Sequence, residues 1–178
     1  MATNIKGLTA VKAMNPKELN AQSVSLLNAR LVDEYTAHFF YRIASNWCKG
    51  VGYNNAAAFF ADEAEQELQH AEGLQQYLVD WNINPTMPAV KPAINFIGLI
   101  DIVNKAYALE YDLFTKYNAD SAKVFATDLP TFDFLQKYRD IQTKSVAEYS
   151  DLLNAAQLID PTILLDIIHY EEIYFKVN

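Results

Sequence analysis

The sequence has little of what disulfide-bonded, redox or zinc-ribbon modules need, because Cys48 is the only cysteine among its 178 residues. A single thiol cannot form an internal disulfide or a CxxC pair, so these classes of site are excluded and a reducing compartment is favoured. The chain also has no run of about 18 apolar residues, the length that a membrane-spanning helix needs, and its first residues lack the apolar segment of a signal peptide. We therefore predict a cytoplasmic protein without a membrane partner.

Basic clusters are missing as well. The 14 Lys and Arg residues are outnumbered by 22 Asp and Glu residues, which gives a formal net charge of -8. Without a basic patch the chain has no electrostatic surface for nucleic acid or anionic lipid, and neither is predicted as a partner. An acidic protein of this kind favours cations as partners.

Glycine and proline are scarce, with 5 and 6 residues, and apolar residues recur at intervals of three and four. That period is typical of helices. It predicts an all-α chain with helices at about residues 16–48, 55–81, 94–120, 131–157 and 162–177. Because 51% of the residues are apolar, a chain of this length can bury one full core, and a single domain is sufficient.

The connection between the second and third helices determines the predicted topology. Its sequence, NINPTMPAVKP at residues 82–92, has three prolines, which disfavour a helix and favour an extended path. An antiparallel neighbour needs only about 2 to 8 connecting residues, whereas this stretch could reach roughly 40 Å at about 3.3 Å per residue. That is the length of a bundle of four such helices. We predict a four-helix bundle with a long crossover, parallel second and third helices, and a short fifth helix.

Three glutamates occupy positions that the pattern assigns to the core. Glu34, Glu67 and Glu110 each lie three, four or seven residues from large apolar side chains, on three different helices. Each lies at a similar distance from the end of its helix, so all three should meet near the middle of the bundle. Three buried carboxylates carry too much negative charge for a dry core unless a cation accompanies them.

His70 follows Glu67 by three residues and shares its helix face. A Glu-x-x-His pair alone arises by chance on many solvated helices, and a solvated face is then the more common explanation. Together with Glu34 and Glu110, the pair is better explained as metal ligands. Oxygen-rich ligation with one imidazole suits iron or manganese more than structural zinc.

With these features the chain resembles the ferritins, and the resemblance extends from about residue 14 onward. The matching stretches are DEYTAHFFY, FFADEAEQELQHAEGLQQYL, ALEY and PTFDFLQKYRDIQ, one on each of the four long helices in order. The resemblance implies a ferritin-like di-iron domain at residues 14–178 behind an N-terminal extension at residues 1–13. It also implies ferroxidase activity, in which O2 or hydrogen peroxide oxidises Fe(II), and a mineral core inside a homo-oligomeric shell of 24 subunits.

The resemblance further implies a role for each site residue. Glu34, Glu67 and His70 would hold the first iron, and Glu67 would bridge to a second iron that Glu110 also holds. Tyr41 matches a tyrosine beside the centre, and Gln142 matches a glutamine of the fourth helix.

Several positions depart from the bacterial ferritin pattern. Ser145 stands where many bacterial ferritins have a carboxylate or imidazole ligand, so weaker binding of the second iron is expected. Gln66 and Ile141 replace carboxylates of an accessory third iron site. Leu68 stands where bacterioferritins place a haem-binding methionine, so no haem is expected.

Other polar residues leave alternatives open. His38 is either a core histidine bonded to Glu34 or a tyrosine, which is the more common situation, or a metal ligand. Three residues of the fifth helix either line a channel of the shell or lie on a solvated or interface face, namely His169, Glu171 and Glu172. Three aspartates lie near the connection between the third and fourth helices, namely Asp120, Asp128 and Asp133. They either line an entry channel for iron or cap helix ends.

Two other functions are compatible with this pattern. One is a di-iron peroxide or oxygen scavenger of the rubrerythrin type, which the missing four-cysteine module and the missing carboxylate ligand on the fourth helix disfavour. The other is a non-catalytic shell subunit whose carboxylates only nucleate mineral, which Glu67 and His70 disfavour.

Overall fold

The protein is described here from a computed structural model, which covers residues 19–90 and 94–176. The described residues form five helices, which are α1 (Ala21–Val51), α2 (Asn54–Asp80), α3 (Leu99–Val124), α4 (Leu129–Ala156) and α5 (Leu164–Tyr174). No strand occurs in these two described ranges. The predicted all-α class is confirmed. The boundary proposed between residues 13 and 14 lies outside the described residues.

Helix α1 begins later than the sequence pattern predicted. Residues 16–18 lie outside the described part, but Leu19 and Asn20 are not helical, so a helix that runs through them is wrong. The reason is a cap: the Asn20 carboxamide oxygen accepts from the backbone N–H of Ser23 at 2.8 Å. At its other end α1 passes the predicted stop and ends at Val51, where Gly52 caps it with a φ of 97° that suits glycine.

The start of α3 was also predicted too early. Residues 94–98 are not helical, and α3 begins at Leu99. Phe96 packs edge-on against Phe40 and Trp47 of α1, with ring centroids at 5.5 and 6.4 Å. The Asp101 carboxylate accepts from the backbone N–H of Ile97 at 3.1 Å, which satisfies a donor just before the helix. Packing onto α1 thus keeps this segment out of the helix.

Side-chain contacts give the direction of α1 and α2. The Ser45 hydroxyl donates to the carbonyl of Ala57 at 2.7 Å, and Gln75 donates to the hydroxyl of Tyr35 at 2.8 Å. Residue numbers rise on α1 as they fall on α2, so these two helices are antiparallel.

Helices α1 and α3 are antiparallel by the same argument. The Tyr41 hydroxyl donates to Glu110, and the Tyr117 hydroxyl donates to Glu34. Because α1 is antiparallel to both α2 and α3, helices α2 and α3 run parallel. The predicted long crossover is confirmed.

The crossover follows the length of the bundle. Near its start the backbone N–H of Thr86 donates to the Asn28 carboxamide at 2.8 Å, in the early part of α1. At its end Phe96 reaches Trp47, in the late part of α1. The connection therefore spans most of the length of α1.

Helix α5 is fastened to the end of the bundle. The Glu171 carboxylate accepts from the backbone N–H groups of Asn55 and Ala56 at 2.6 and 2.9 Å. These donors belong to the first turn of α2, which has no side-chain cap of its own. The ring of Phe175 packs edge-on against Phe59 at 5.4 Å. Residue 177 lies outside the described residues, but residues 162, 163, 175 and 176 are not helical, so the predicted span 162–177 is too long at both ends.

Across the described part of the chain, none of the helices is long and apolar enough to cross a membrane.

Candidate metal centre

Four helices each bring polar side chains to the middle of the bundle. Glu34 comes from α1, Glu67 and His70 from α2, Glu110 from α3 and Gln142 from α4. Glu34, Glu110 and Gln142 are fully buried, and Glu67 is 3% exposed. The structure thus brings together the residues that the sequence predicted as ligands.

Glu34, Glu67 and His70 form the tightest group, with one potential ligand atom from each lying within 4.8 Å of the others. His70 Nδ1 lies 3.2 Å from Glu67 Oε2 and 3.7 Å from Glu34 Oε2. Glu34 Oε2 is buried and accepts no hydrogen bond from a described residue. A buried carboxylate oxygen without a donor is costly in a metal-free protein, and a cation at this point would satisfy it.

Glu110 lies beside this group and is held from two sides. The Tyr41 hydroxyl donates to its Oε1 atom. With the carboxamide nitrogen of Gln142 facing α3, that nitrogen donates to Glu110 Oε2 at 3.0 Å. The predicted positions of Tyr41 and Gln142 next to the centre therefore agree with the geometry.

The carboxylates perturb one another. Burial, together with the charges of Glu34 and Glu110, raises the pKa of Glu67 well above its usual range. Burial also raises the pKa of Glu110, although the Tyr41 hydroxyl opposes this effect. For Glu34 burial acts in the same direction, but the neighbouring His70 and Glu67 outweigh it, and its pKa is lowered. Without a cation, burial thus favours the uncharged forms of Glu67 and Glu110, and a bound metal ion would favour their ionised forms.

The structure shows the surroundings of three residues that depart from the bacterial ferritin pattern. Ser145 is half-buried, and its hydroxyl reaches only the carbonyl of Ile141 on its own helix, at 3.4 Å. Gln66 is exposed and donates to Asp62 at 2.9 Å. Leu68 is half-buried and has no atom that can ligate a metal.

His38 does not join the centre. Its Nδ1 atom lies 2.6 Å from the carbonyl oxygen of Ala64 on α2, so the predicted bond to Glu34 or to a tyrosine is wrong. The imidazole faces the contact between α1 and α2, where a backbone carbonyl is the available partner.

The three candidate residues of α5 differ in their exposure. His169 and Glu172 are exposed, whereas Glu171 is buried and bonded to the start of α2. Glu171 is therefore a structural contact within the subunit.

The three candidate aspartates also have different roles. Asp128 caps α4 by accepting from Thr131 N–H at 3.1 Å, which agrees with the capping alternative. Asp120 pairs with Lys123 at 2.9 Å, while Asp133 is exposed.

Sequence reasoning missed three polar contacts around the centre. Tyr117 donates to Glu34, Tyr138 donates to the backbone carbonyl of His70 at 2.9 Å, and Tyr149 donates to Glu63 at 3.0 Å. One signal was available, because Tyr117 follows Glu110 by the same interval that separates Tyr41 from Glu34.

Comparison with known proteins identifies the family to which this chain belongs. The sequence model of the ferritin family, described as a ferritin-like domain, matches residues 24–159. The chain belongs to this family. The family resemblance read from the sequence is thereby confirmed.

Bacterial relatives match over most of the chain. A probable bacterial non-heme ferritin-like protein of Haemophilus influenzae is 28% identical over 138 residues, covering 76% of this chain and 84% of the relative. A bacterial non-heme ferritin of Escherichia coli is 27% identical over 142 residues, covering 79% of this chain and 86% of the relative.

A solved structure shows the same fold. An open-pore ferritin from the hyperthermophilic archaeon Archaeoglobus fulgidus superposes with a TM-score of 0.82 at 16% identity, covering 90% of this chain and all of that one. The likeness extends the fold assignment beyond the residues of the family model.

Proposed function

We propose that the chain is the ferroxidase subunit of an iron-storage ferritin, which oxidises Fe(II) at its centre and deposits Fe(III) mineral inside a shell. The observation that carries this proposal is the buried group of Glu34, Glu67 and His70, in which Glu34 Oε2 has no donor. Glu110 stands next to it as a third buried carboxylate.

The side chains suit two positions for Fe(II), and these positions differ in affinity. Glu34, His70 and the bridging Glu67 would hold the first ion, and Glu67, Glu110 and Gln142 would hold the second. Each Fe(II) supplies one electron, so a pair of ions reduces O2 or hydrogen peroxide in two-electron steps. The carboxylate oxygens are hard ligands, which suit Fe(III), and their displaced protons leave when iron binds.

The surface of α5 supports assembly into a shell. Leu164 and Leu165 are 67% and 75% exposed, and Leu158 just before the helix is 81% exposed. So much apolar surface at one end of a subunit is typical of an interface between subunits. We propose a homo-oligomer of 24 subunits in the cytoplasm. Light scattering would measure the mass of the assembly. A mass near half of that expected for 24 subunits would indicate a twelve-subunit shell.

The proposed protein binds no haem. Leu68 supplies no ligand, and Met87, the methionine within the described residues, is 60% exposed in the crossover. An absorption spectrum after reconstitution with haem tests this, and a stoichiometric Soret band would contradict it.

The main experiment titrates the metal-free protein with Fe(II) without oxygen and then adds O2 or hydrogen peroxide. We expect binding of two ions per subunit, rapid oxidation and retention of the iron as mineral. Slow mineral growth that His70→Ala leaves unchanged would instead identify a non-catalytic shell subunit. Rapid peroxide consumption without retained mineral would identify a scavenger of the rubrerythrin type.

A further inference from the structure

Each of the two outer carboxylates of the centre is bonded to a tyrosine from the opposite helix. Tyr41 of α1 donates to Glu110 of α3, and Tyr117 of α3 donates to Glu34 of α1. The two tyrosines are fully buried, as are both glutamates. The centre thus has two matching tyrosine-carboxylate bonds, one on each side.

Helix α4 supports both tyrosines in the same way. The ring of Tyr138 stacks on Tyr117 with centroids at 5.1 Å and planes at 15°. The ring of Tyr149 stacks on Tyr41 with centroids at 5.9 Å and planes at 14°. Each supporting hydroxyl is anchored on α2, Tyr138 to the carbonyl of His70 and Tyr149 to the carboxylate of Glu63.

The bond from Tyr117 determines which oxygen of Glu34 is available. Oε1 accepts the hydroxyl, while Oε2 has no donor and lies 3.7 Å from His70 Nδ1. A hydrogen bond to a carboxylate is stronger than one between neutral groups, so it holds the side chain in one orientation. The free oxygen is therefore directed at the position that His70 and Glu67 also face.

We infer that Tyr117, supported by Tyr138, is a positioning residue that sets the affinity of the first metal position. This inference rests on the proposed function, because it assumes that Glu34, Glu67 and His70 hold an ion. Tyr117 acts through Glu34, as groups hydrogen-bonded to metal ligands commonly do.

The test measures binding of Zn²⁺, which is not oxidised, to the whole metal-free protein by calorimetry. Tyr117→Phe keeps the stacked ring and removes only the hydroxyl, and we expect it to weaken the tighter Zn²⁺ site by about tenfold or more. Tyr107→Phe is the matched control, because Tyr107 is a half-buried tyrosine of the same helix whose ring packs against Tyr111. It should bind Zn²⁺ as the parent does.

A crystallographic measurement separates the two sides of the centre. In crystals soaked with limiting Zn²⁺, anomalous scattering should show Tyr117→Phe losing occupancy beside Glu34 and His70, while Tyr41→Phe loses it beside Glu110. A purely structural role for Tyr117 would lower the unfolding temperature and leave Zn²⁺ affinity unchanged, and that result would overturn the inference. If the parent protein itself bound no Zn²⁺ at Glu34 and His70, the proposed function would fail instead.

Discussion

Gly73 and Tyr138 face each other so closely that α2 has no room for a methyl group at residue 73. A Cβ atom added there would lie 2.7 Å from the Tyr138 hydroxyl oxygen. The hydroxyl is held in place because it donates to the carbonyl of His70, three residues earlier on the same helix. The small residue on α2 thus permits a tyrosine of α4 to reach the backbone beside the centre.

The first prediction follows from this contact. In a helix interior alanine is normally more stable than glycine by about 1 kcal/mol. We expect Gly73→Ala instead to lower the stability of the metal-free subunit by about 1 kcal/mol, because the displaced Tyr138 hydroxyl loses its buried partner. Thermal unfolding measures the change.

Two variants test the explanation. Gly50→Ala on α1 meets nothing within 4 Å, so it should not destabilise the protein. Adding Tyr138→Phe to Gly73→Ala removes the clashing oxygen and should recover the stability. Equal effects of Gly73→Ala with and without the tyrosine hydroxyl would contradict the proposed clash.

The second prediction concerns His70. His70→Ala removes the imidazole of the group that includes Glu34 and Glu67, so binding of the first Fe(II) and rapid oxidation should both be lost. The matched control is His38→Ala, because His38 contacts the carbonyl of Ala64 and lies outside the group. Stopped-flow oxidation with titrated Fe(II) compares the two variants. Parent-like oxidation of two Fe(II) per subunit in His70→Ala would rule out the ligand assignment.

The convergence of the glutamates could be predicted from the sequence because helix periodicity and the crossover together determine it. Glu34, Glu67 and Glu110 each repeat the spacing of the apolar core, and the proline-rich crossover sets the direction of α3. The partner of His38 could not be predicted, because it is a backbone carbonyl on a neighbouring helix. The start of α3 depends on the docking of Phe96 onto α1, a contact that periodicity does not describe.

The third prediction concerns the weaker side of the centre. Ser145 lies three residues after Gln142 on α4, about 5 Å away along the same face. Ser145→Glu should add a carboxylate near Glu110 and tighten binding of the second ion, because a charged oxygen attracts a divalent cation more strongly than a neutral hydroxyl. Thr143→Glu is the control, since Thr143 is exposed on the same helix. Unchanged affinity for the second ion in Ser145→Glu would contradict the assignment of that site.

The fourth prediction concerns pH. Burial, together with the charge of Glu148, raises the pKa of Glu63 from 4.5 to about 7, although the Tyr149 hydroxyl donates to it at 3.0 Å. A carboxyl group whose pKa is higher in the folded than in the unfolded chain destabilises the fold as it ionises. This cost is small below pH 4.5, grows between pH 4.5 and 7, and is fully present above pH 7.

Glu63→Gln should therefore stabilise the metal-free protein at pH 8, by no more than about 3 kcal/mol, and much less at pH 5. Thermal unfolding of parent and variant across this range gives the difference. Glu65→Gln, on the exposed side of α2, removes the same charge and should show little pH-dependent gain. A gain for Glu63→Gln that is equal at pH 5 and pH 8 would show that charge burial is not the cause, because an uncharged packing effect does not change with pH.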